Sequence, residues 1–207
     1  MTTTSSWEDA TKKPSTTWYQ NYPTPPPFVV DLTDEEATAT AVSQLDHLDA
    51  LINSAGVSAT SPGDIGSQPR DEWRRVLEIN VIAVADLTRL VLPLLRASHG
   101  DVIMINSGSG FLRTPASGGV YAASKYALRA LTHALRADER GIVRVTSIHP
   151  GRVDTDMQVE LQAQAGRPYN AAEHLRPQSV AVTVRAALEA SADAMIEELS
   201  VRPVFRG

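Results

Sequence analysis

The sequence contains no cysteine. Disulfides, thiolate catalysis and cysteine metal sites are therefore excluded, and a reducing compartment, the cytoplasm, is the expected setting. No apolar run approaches the roughly 18–20 residues of a membrane span. The N-terminal stretch MTTTSSWEDATKKPST lacks the apolar core of a secretory signal. Arginine is missing before Arg70 while Glu8 and Asp9 are present, which argues against a transit peptide. Excess positive charge is missing too: the formal net charge is -5. A nucleic-acid footprint would need a clustered basic face, and an anionic membrane surface would repel this chain. The five histidines, at 47, 99, 133, 149 and 174, show no metal-ligand spacing, so no metal is expected. Glycine is absent ahead of Gly56, so nothing near the N-terminus could form a Gly-rich phosphate turn.

What is present reads as one globular domain behind a tail. The chain has 207 residues, 43% hydrophobic and 21% charged, enough for a sizeable core. Residues 1–27 are rich in Thr, Ser and Pro, show no period, and read as a disordered or non-homologous tail. Residues 28–207 are regular. Phe28 to Leu32 reads as a short strand. Thr33 with Glu36 reads as a capping box opening a helix to about Leu45. Strands are expected at Leu48–Ser54, Asp101–Asn106, Ile142–Ile148 and Met195–Val201, and helices at 70–97, 117–139 and 177–191, the last with Pro177 at its first position. Pro93 is expected to bend or interrupt the first of these helices. Strands alternating with helices give a doubly wound, Rossmann-type parallel α/β sheet with helices on both faces. In such sheets ligands lie beyond the carboxyl ends of the strands, which directs attention to Asn53–Gly56, Ser107–Gly110 and His149–Thr155.

Chemistry-bearing residues fall in those places. Tyr121 and Lys125 are four apart on a predicted helix and so share one face. A free phenol titrates near 10, and an adjacent ammonium favours its ionised form, the tuning a general acid/base needs. Tyr-x-x-x-Lys alone is a weak signal, and a solvated helix face is its bland alternative. Ser107 ends a buried strand, where its hydroxyl could orient a substrate carbonyl; a plain Gly-rich turn, Ser-Gly-Ser-Gly, would also account for it. Asn80 lies inside a helix, where Asn is a mediocre former; buried there, it could hold a water or a backbone carbonyl near the lysine. His149, beside Pro150-Gly151, reads as structural or substrate-lining. Asp154 and Asp156 read as a helix N-cap rather than a carboxylate pair. Gly108-x-Gly110 follows the serine strand and reads as a decoy for a dinucleotide fingerprint. Met157, Leu161, Arg167 and Tyr169, in the 150–176 connection, read as a lid over the substrate.

Taken together these residues resemble the short-chain dehydrogenase/reductase family. Asn53-Ser54-Ala55-Gly56 looks like its Asn-x-Ala-Gly turn. Asn80, Ser107, Tyr121 and Lys125 match its Asn-Ser-Tyr-Lys tetrad in order, with intervals of 27, 27 and 14 residues from Asn53 onward. Pro150-Gly151, Val153 and Thr155 look like its Pro-Gly-x-Val-x-Thr segment, and Asp31-Leu32 like its acidic turn at the adenine. The resemblance spans roughly residues 28 to 203. It implies an NAD(P)-dependent oxidoreductase acting on a carbonyl or secondary alcohol. Tyr121 would exchange the proton, and Lys125 would lower the phenol's pKa and hold the nicotinamide ribose. Ser107 would polarise the carbonyl and Asn80 support a water relay. Asp31, Leu32, Asn53, Ala55, Gly56, Pro150, Gly151, Val153 and Thr155 would contact the cofactor. A homodimer or homotetramer through helices 70–97 and 117–139 is implied as well.

The departure from the pattern is the Gly-rich turn. The resemblance implies that the first two strands and that turn are missing, which leaves the 48–54 strand with an apolar edge and the choice between NAD and NADP unreadable. It also raises an alternative, a catalytically impaired remnant acting through association.

Overall fold

The computed structural model describes residues 29–60, 65–111 and 119–204. Four parallel strands form one sheet in sequence order: β1 (Ala50–Asn53), β2 (Asp101–Ile105), β3 (Arg144–Pro150) and β4 (Glu198–Val201). Each crossover carries helix: α2 (Arg70–Leu77) and α3 (Ala83–Ser98) between β1 and β2, α4 (Gly119–Asp138) between β2 and β3, α5 (Asp156–Gln164) and α6 (Pro177–Leu188) between β3 and β4. A short α1 (Glu35–Val42) precedes β1. This is the expected doubly wound α/β arrangement. Among the described residues, no helix is long and apolar enough to cross a membrane.

Alternation along β2 explains the layering. Val102 and Met104 point into a core formed with Val84, Leu87, Val91 and Leu95 of α3, Leu128 of α4, and Val42 of α1. Ile103 points the other way, with Ile148 and Leu199, onto Val180, Val184 and Ala187 of α6. A strand buried on both faces needs apolar residues at every position, which the run Val102–Ile105 supplies. β1 lies at one edge of the described sheet. Ile52, in register with Ile103 and so on the α6 face, remains 46% exposed, because that helix covers the other three strands.

Several sequence expectations are corrected. Residues 29–32 form no strand, and Val29 is 88% exposed; Phe28 lies outside the described residues. The N-cap of α1 is Asp34, whose carboxylate accepts from Ala37 N at 2.9 Å, not Thr33. Thr33 instead donates from its N–H and hydroxyl to Asp31. Pro93 does not interrupt α3, which runs on to Ser98 and ends at His99 in the left-handed conformation. One missing backbone donor late in a helix is tolerated where the apolar face is packed, as Val91 and Leu95 are. The predicted start of α4, at Ser117, lies outside the described residues.

The 70–97 helical pattern does contain one irregularity. Between α2 and α3, residues Glu78–Ile82 form a π-type turn, closed by Ala83 N–H on the Glu78 carbonyl. Such single-turn bulges shift the register of side chains and often sit at functional sites. Asn80 is at its centre and fully buried.

Candidate active site

Because all four strands are parallel, their carboxyl ends share one rim. That rim carries Asn53, Ser107, Gly151 and Arg202, with the first turns of α4 alongside. Tyr121 and Lys125 lie on α4, and Lys125 Nζ sits 5.8 Å from the Tyr121 ring centroid. Ser107 Oγ accepts from Ser109 N–H at 3.1 Å, closing the turn after β2. The Ser107 hydroxyl is near enough to the Tyr121 hydroxyl to oppose the rise of the phenol's pKa, so the serine and tyrosine expected to act together are brought to the same place.

Lys125 is only 4% exposed, and its ammonium donates to the Ile105 carbonyl at 3.2 Å. Among the described residues it makes no ion pair with a carboxylate. Burial therefore lowers its pKa to about 8. The expected effect of Lys125 on the phenol is not met here: burial raises the Tyr121 pKa, and the opposing influence comes from the Ser107 hydroxyl. The resting phenol is a neutral donor.

Asn80 acts as a clamp. Its Oδ1 accepts from Val57 N–H at 2.7 Å, and its Nδ2 donates to the Val57 carbonyl and to Ser124 Oγ, both at 2.9 Å. Ser124 in turn donates to the Tyr121 carbonyl at 2.8 Å. The π-turn, the loop after β1 and the first turns of α4 are locked together by one amide. A Cβ on Gly56 would lie 3.4 Å from Asn80 Oδ1 and 3.6 Å from Lys125 Nζ, so this glycine keeps the space beside the ammonium open.

The remaining expected residues divide. Asn53 turns its amide inward, donating to Thr88 Oγ1 at 3.1 Å and lying 3.2 Å from Met104 Sδ, so its side chain supports the sheet rather than facing a ligand. Ala55 is exposed on the same turn. Pro150 ends β3, and Gly151 N–H donates to the Val201 carbonyl at 2.7 Å; a Cβ there would come within 2.9 Å of Pro203. Val153 bridges to Leu175. Thr155, exposed, stands at the N-cap of α5, the place expected for an aspartate, while Asp154 instead accepts a short hydrogen bond from Tyr169. That carboxylate raises the Tyr169 pKa to about 12. Asp31 and Leu32 are not brought to the tetrad: Asp31 caps its own exposed turn and Leu32 packs on the core beside α1. Gly108 and Gly110 form a 3-10 turn. A Cβ on Gly110 would lie 2.9 Å from the Lys125 carbonyl, so close helix approach, not phosphate binding, accounts for the second glycine.

Sequence reasoning missed the frame behind the loop after β1. Glu72 of α2 accepts from Thr60 N–H and Oγ1, and pairs with Arg75, which also donates to the Ser58 carbonyl at 2.6 Å. Arg75 first, opposed by burial, brings the Glu72 pKa down to about 2. Gln164, at the end of α5, donates to the Thr60 carbonyl at 3.1 Å, joining the 150–176 connection to this loop. A link across 104 positions leaves no local pattern to read.

A profile of the short chain dehydrogenase family matches residues 17–166, beginning upstream of residue 28. An uncharacterized oxidoreductase of Staphylococcus epidermidis is 33% identical over 165 residues, covering 79% of this chain and 68% of that protein. A cyclopentanol dehydrogenase of Comamonas is 36% identical over 134 residues, covering 62% of this chain and 52% of that protein. Among solved structures, an alcohol dehydrogenase from Thermococcus sibiricus complexed with 5-hydroxy-NADP superposes with a TM-score of 0.73 at 23% identity, covering 86% and 74% of the two chains. A short chain dehydrogenase from Burkholderia cenocepacia in complex with NADP does so with a TM-score of 0.67 at 26% identity, covering 84% and 70%. With the parallel sheet, the Ser107–Tyr121 juxtaposition and the buried lysine in place, these matches assign the chain to the short-chain dehydrogenase family of oxidoreductases.

Proposed function

We propose that this chain interconverts a carbonyl compound and a secondary alcohol, with NAD or NADP as redox partner and Tyr121 as the group that exchanges the proton. The single observation that carries the reading is the juxtaposition of Tyr121, Ser107 and the buried Lys125 at the rim of the sheet. A nicotinamide dinucleotide, when bound, supplies or accepts the hydride. The residues fit such a group at one point: the desolvated ammonium of Lys125 pairs with no carboxylate among the described residues and has Gly56 beside it, a setting suited to sugar hydroxyls. Lys125, the Ala55–Gly56 turn and the Pro150–Thr155 segment are the residues we assign to hold it. Ser107 orients the substrate oxygen, and the phenol, neutral at rest, donates to it as charge develops. Asn80 keeps Lys125 and the turn in register.

The names of the Comamonas relative and of the NADP-bound Burkholderia structure support this class of reaction. The NAD or NADP preference and the particular alcohol belong to measurement. Fluorescence titration with NADH and NADPH, followed by turnover of Tyr121→Phe on a panel of secondary alcohols, tests the reading. Binding of either nucleotide with turnover abolished in the variant is the expected result. Retained turnover in Tyr121→Phe would overturn it.

We also assign self-association, as a homodimer or homotetramer, to the helix pair α3 and α4 with α2. Ile82 is 52% exposed and Tyr126 is 44% exposed there. Sedimentation of the purified chain as a monomer would refute this. The lack of cysteine supports a reducing, cytoplasmic setting.

A further inference from the structure

Behind Ser107 lies a set of buried polar side chains with no part in the proposed proton transfer. Asn106 follows β2, and its N–H donates to the Ile148 carbonyl at 2.8 Å. Its amide nitrogen donates to Ser147 Oγ of β3 at 2.6 Å. Ser147 Oγ lies 2.9 Å from His149 Nε2, and His149 Nδ1 lies 3.3 Å from the Ser107 carbonyl. Asn106 is 4% exposed, and Ser147 and His149 are fully buried. The Phe111 ring covers the imidazole at a centroid distance of 4.5 Å. Arg202, from the end of β4, donates to the His149 carbonyl.

The direction of this chain follows from elementary chemistry. A peptide carbonyl can only accept, so Nδ1 carries the proton. In a neutral imidazole Nε2 is then an acceptor, and the Ser147 hydroxyl must donate to it. That leaves Ser147 Oγ free to accept from Asn106. Asn106 gives its second amide hydrogen to Thr132 Oγ1 at 3.3 Å, and the sequence of bonds from Asn106 to the Ser107 carbonyl has a single consistent sense. Burial lowers the ring's pKa; the bond to the Ser107 carbonyl and Glu198, whose Oε1 lies 3.9 Å from Nε2, oppose this, and Arg129 and Arg202 add smaller lowering contributions, so the net shift favours the neutral ring.

We propose that His149, oriented by Ser147 and Asn106, is a positioning residue that fixes the Ser107 peptide and so aims its hydroxyl at Tyr121. The inference rests on the reading of Ser107 and Tyr121 as the proton-handling pair. Ser107 has an extended backbone, and its hydroxyl accepts from Ser109 N–H on the side where the phenol lies. The peptide carbonyl is the handle that sets the plane from which that side chain projects. A misplacement of about 1 Å can cost up to about 100-fold in rate, so loosening this handle acts on kcat. Lys125 and the Gly56 turn lie elsewhere on the rim, and Gly151 is held by its own bond to the Val201 carbonyl at 2.7 Å, so nucleotide affinity changes less than kcat.

Nitrogen-15 NMR of the imidazole in the full chain at neutral pH tests the relay without any variant. The neutral Nδ1–H tautomer is expected; an Nε2–H tautomer or a charged ring overturns the proposal. Ser147→Ala removes the donor to Nε2. The expected outcome is a mixed tautomer and a fall in kcat of about tenfold or more, with a smaller change in NADH and NADPH affinity. A folded Ser147→Ala with unaltered kcat overturns the proposal. Ser107→Ala separates the two readings, because its backbone carbonyl remains. Full activity in that variant defeats the site assignment, while its imidazole signal continues to report the relay.

Discussion

The ammonium of Lys125 lies 5.8 Å from the centre of the Tyr121 ring, yet the phenol's pKa is raised and the ammonium's is lowered. Both groups are short of solvent, and desolvation disfavours the charged form of each. In the free protein the pair is poised as a neutral phenol and an ammonium that titrates near pH 8.

Lys125 makes stability depend on pH in an unusual direction. Its folded pKa, about 8, lies below the unfolded value of 10.5. Between those values the unfolded chain binds the extra proton, so stability rises with pH from 8 to 10.5 and the penalty is complete below 8. Lys125→Met removes a buried charge, and denaturant unfolding at pH 7 should show a gain, on the order of 2–3 kcal/mol, together with lost turnover. A variant less stable than the parent contradicts the desolvation argument.

Nucleotide binding should weaken as pH rises through about 8, where Lys125 loses its charge. Isothermal titration with NADH or NADPH from pH 6.5 to 9.5 checks this. A flat profile would place the ammonium outside the nucleotide site.

Asn80→Ala should cost about 2–4 kcal/mol, since it leaves the buried Val57 N–H and carbonyl and Ser124 without their partner. Asn80→Asp should be nearly as damaging, because a carboxylate cannot donate to Val57 or Ser124. Chemical denaturation of the two variants measures both.

Glu72 anchors the loop after β1, and its folded pKa is about 2 against an ordinary 4.5. Its contribution is fully present above pH 4.5 and disappears as pH falls toward 2. Thermal unfolding of Glu72→Gln should be shifted down at pH 6, by the equivalent of roughly 1–3 kcal/mol, and converge on the parent near pH 2. Parallel curves across that range would assign the acid sensitivity elsewhere.

Tyr169→Phe frees Asp154, the residue between Val153 and Thr155. The expected effect is a higher KM for nucleotide or substrate with kcat retained. Steady-state kinetics with both reactants varied decides it, and a fall in kcat alone would mean that the Tyr169–Asp154 bond acts on chemistry rather than on binding.

Much of this protein was legible locally. The order and type of β1 to β4, of the helical stretch that holds α2 and α3, and of α4 and α6 follow from apolar periodicity, which involves neighbours in sequence. Tyr121 and Lys125 could be placed together because four residues make one helical turn. Ser107 could be placed at the rim because the strand before it is apolar at every position. Thr33 and Asp34 show the limit of this reasoning: both are good caps, and backbone geometry alone selected Asp34.

The amino-acid order by itself thus determined the parallel α/β layout, which depends on contacts within a turn or a strand, and its ordered motifs carried the resemblance that pointed to the family and to Asn80, Ser107, Tyr121 and Lys125 as candidates. Tertiary structure decided what those residues do to one another. Desolvation set the phenol and ammonium in opposite senses from a simple neighbour argument. The π-turn made Asn80 a clamp, and the Asn106–Ser147–His149 chain reached the Ser107 carbonyl from the adjoining strand. Burial and hydrogen-bond partners drawn from strands some 40 positions apart leave no periodic trace in sequence, so only the packed fold could reveal them.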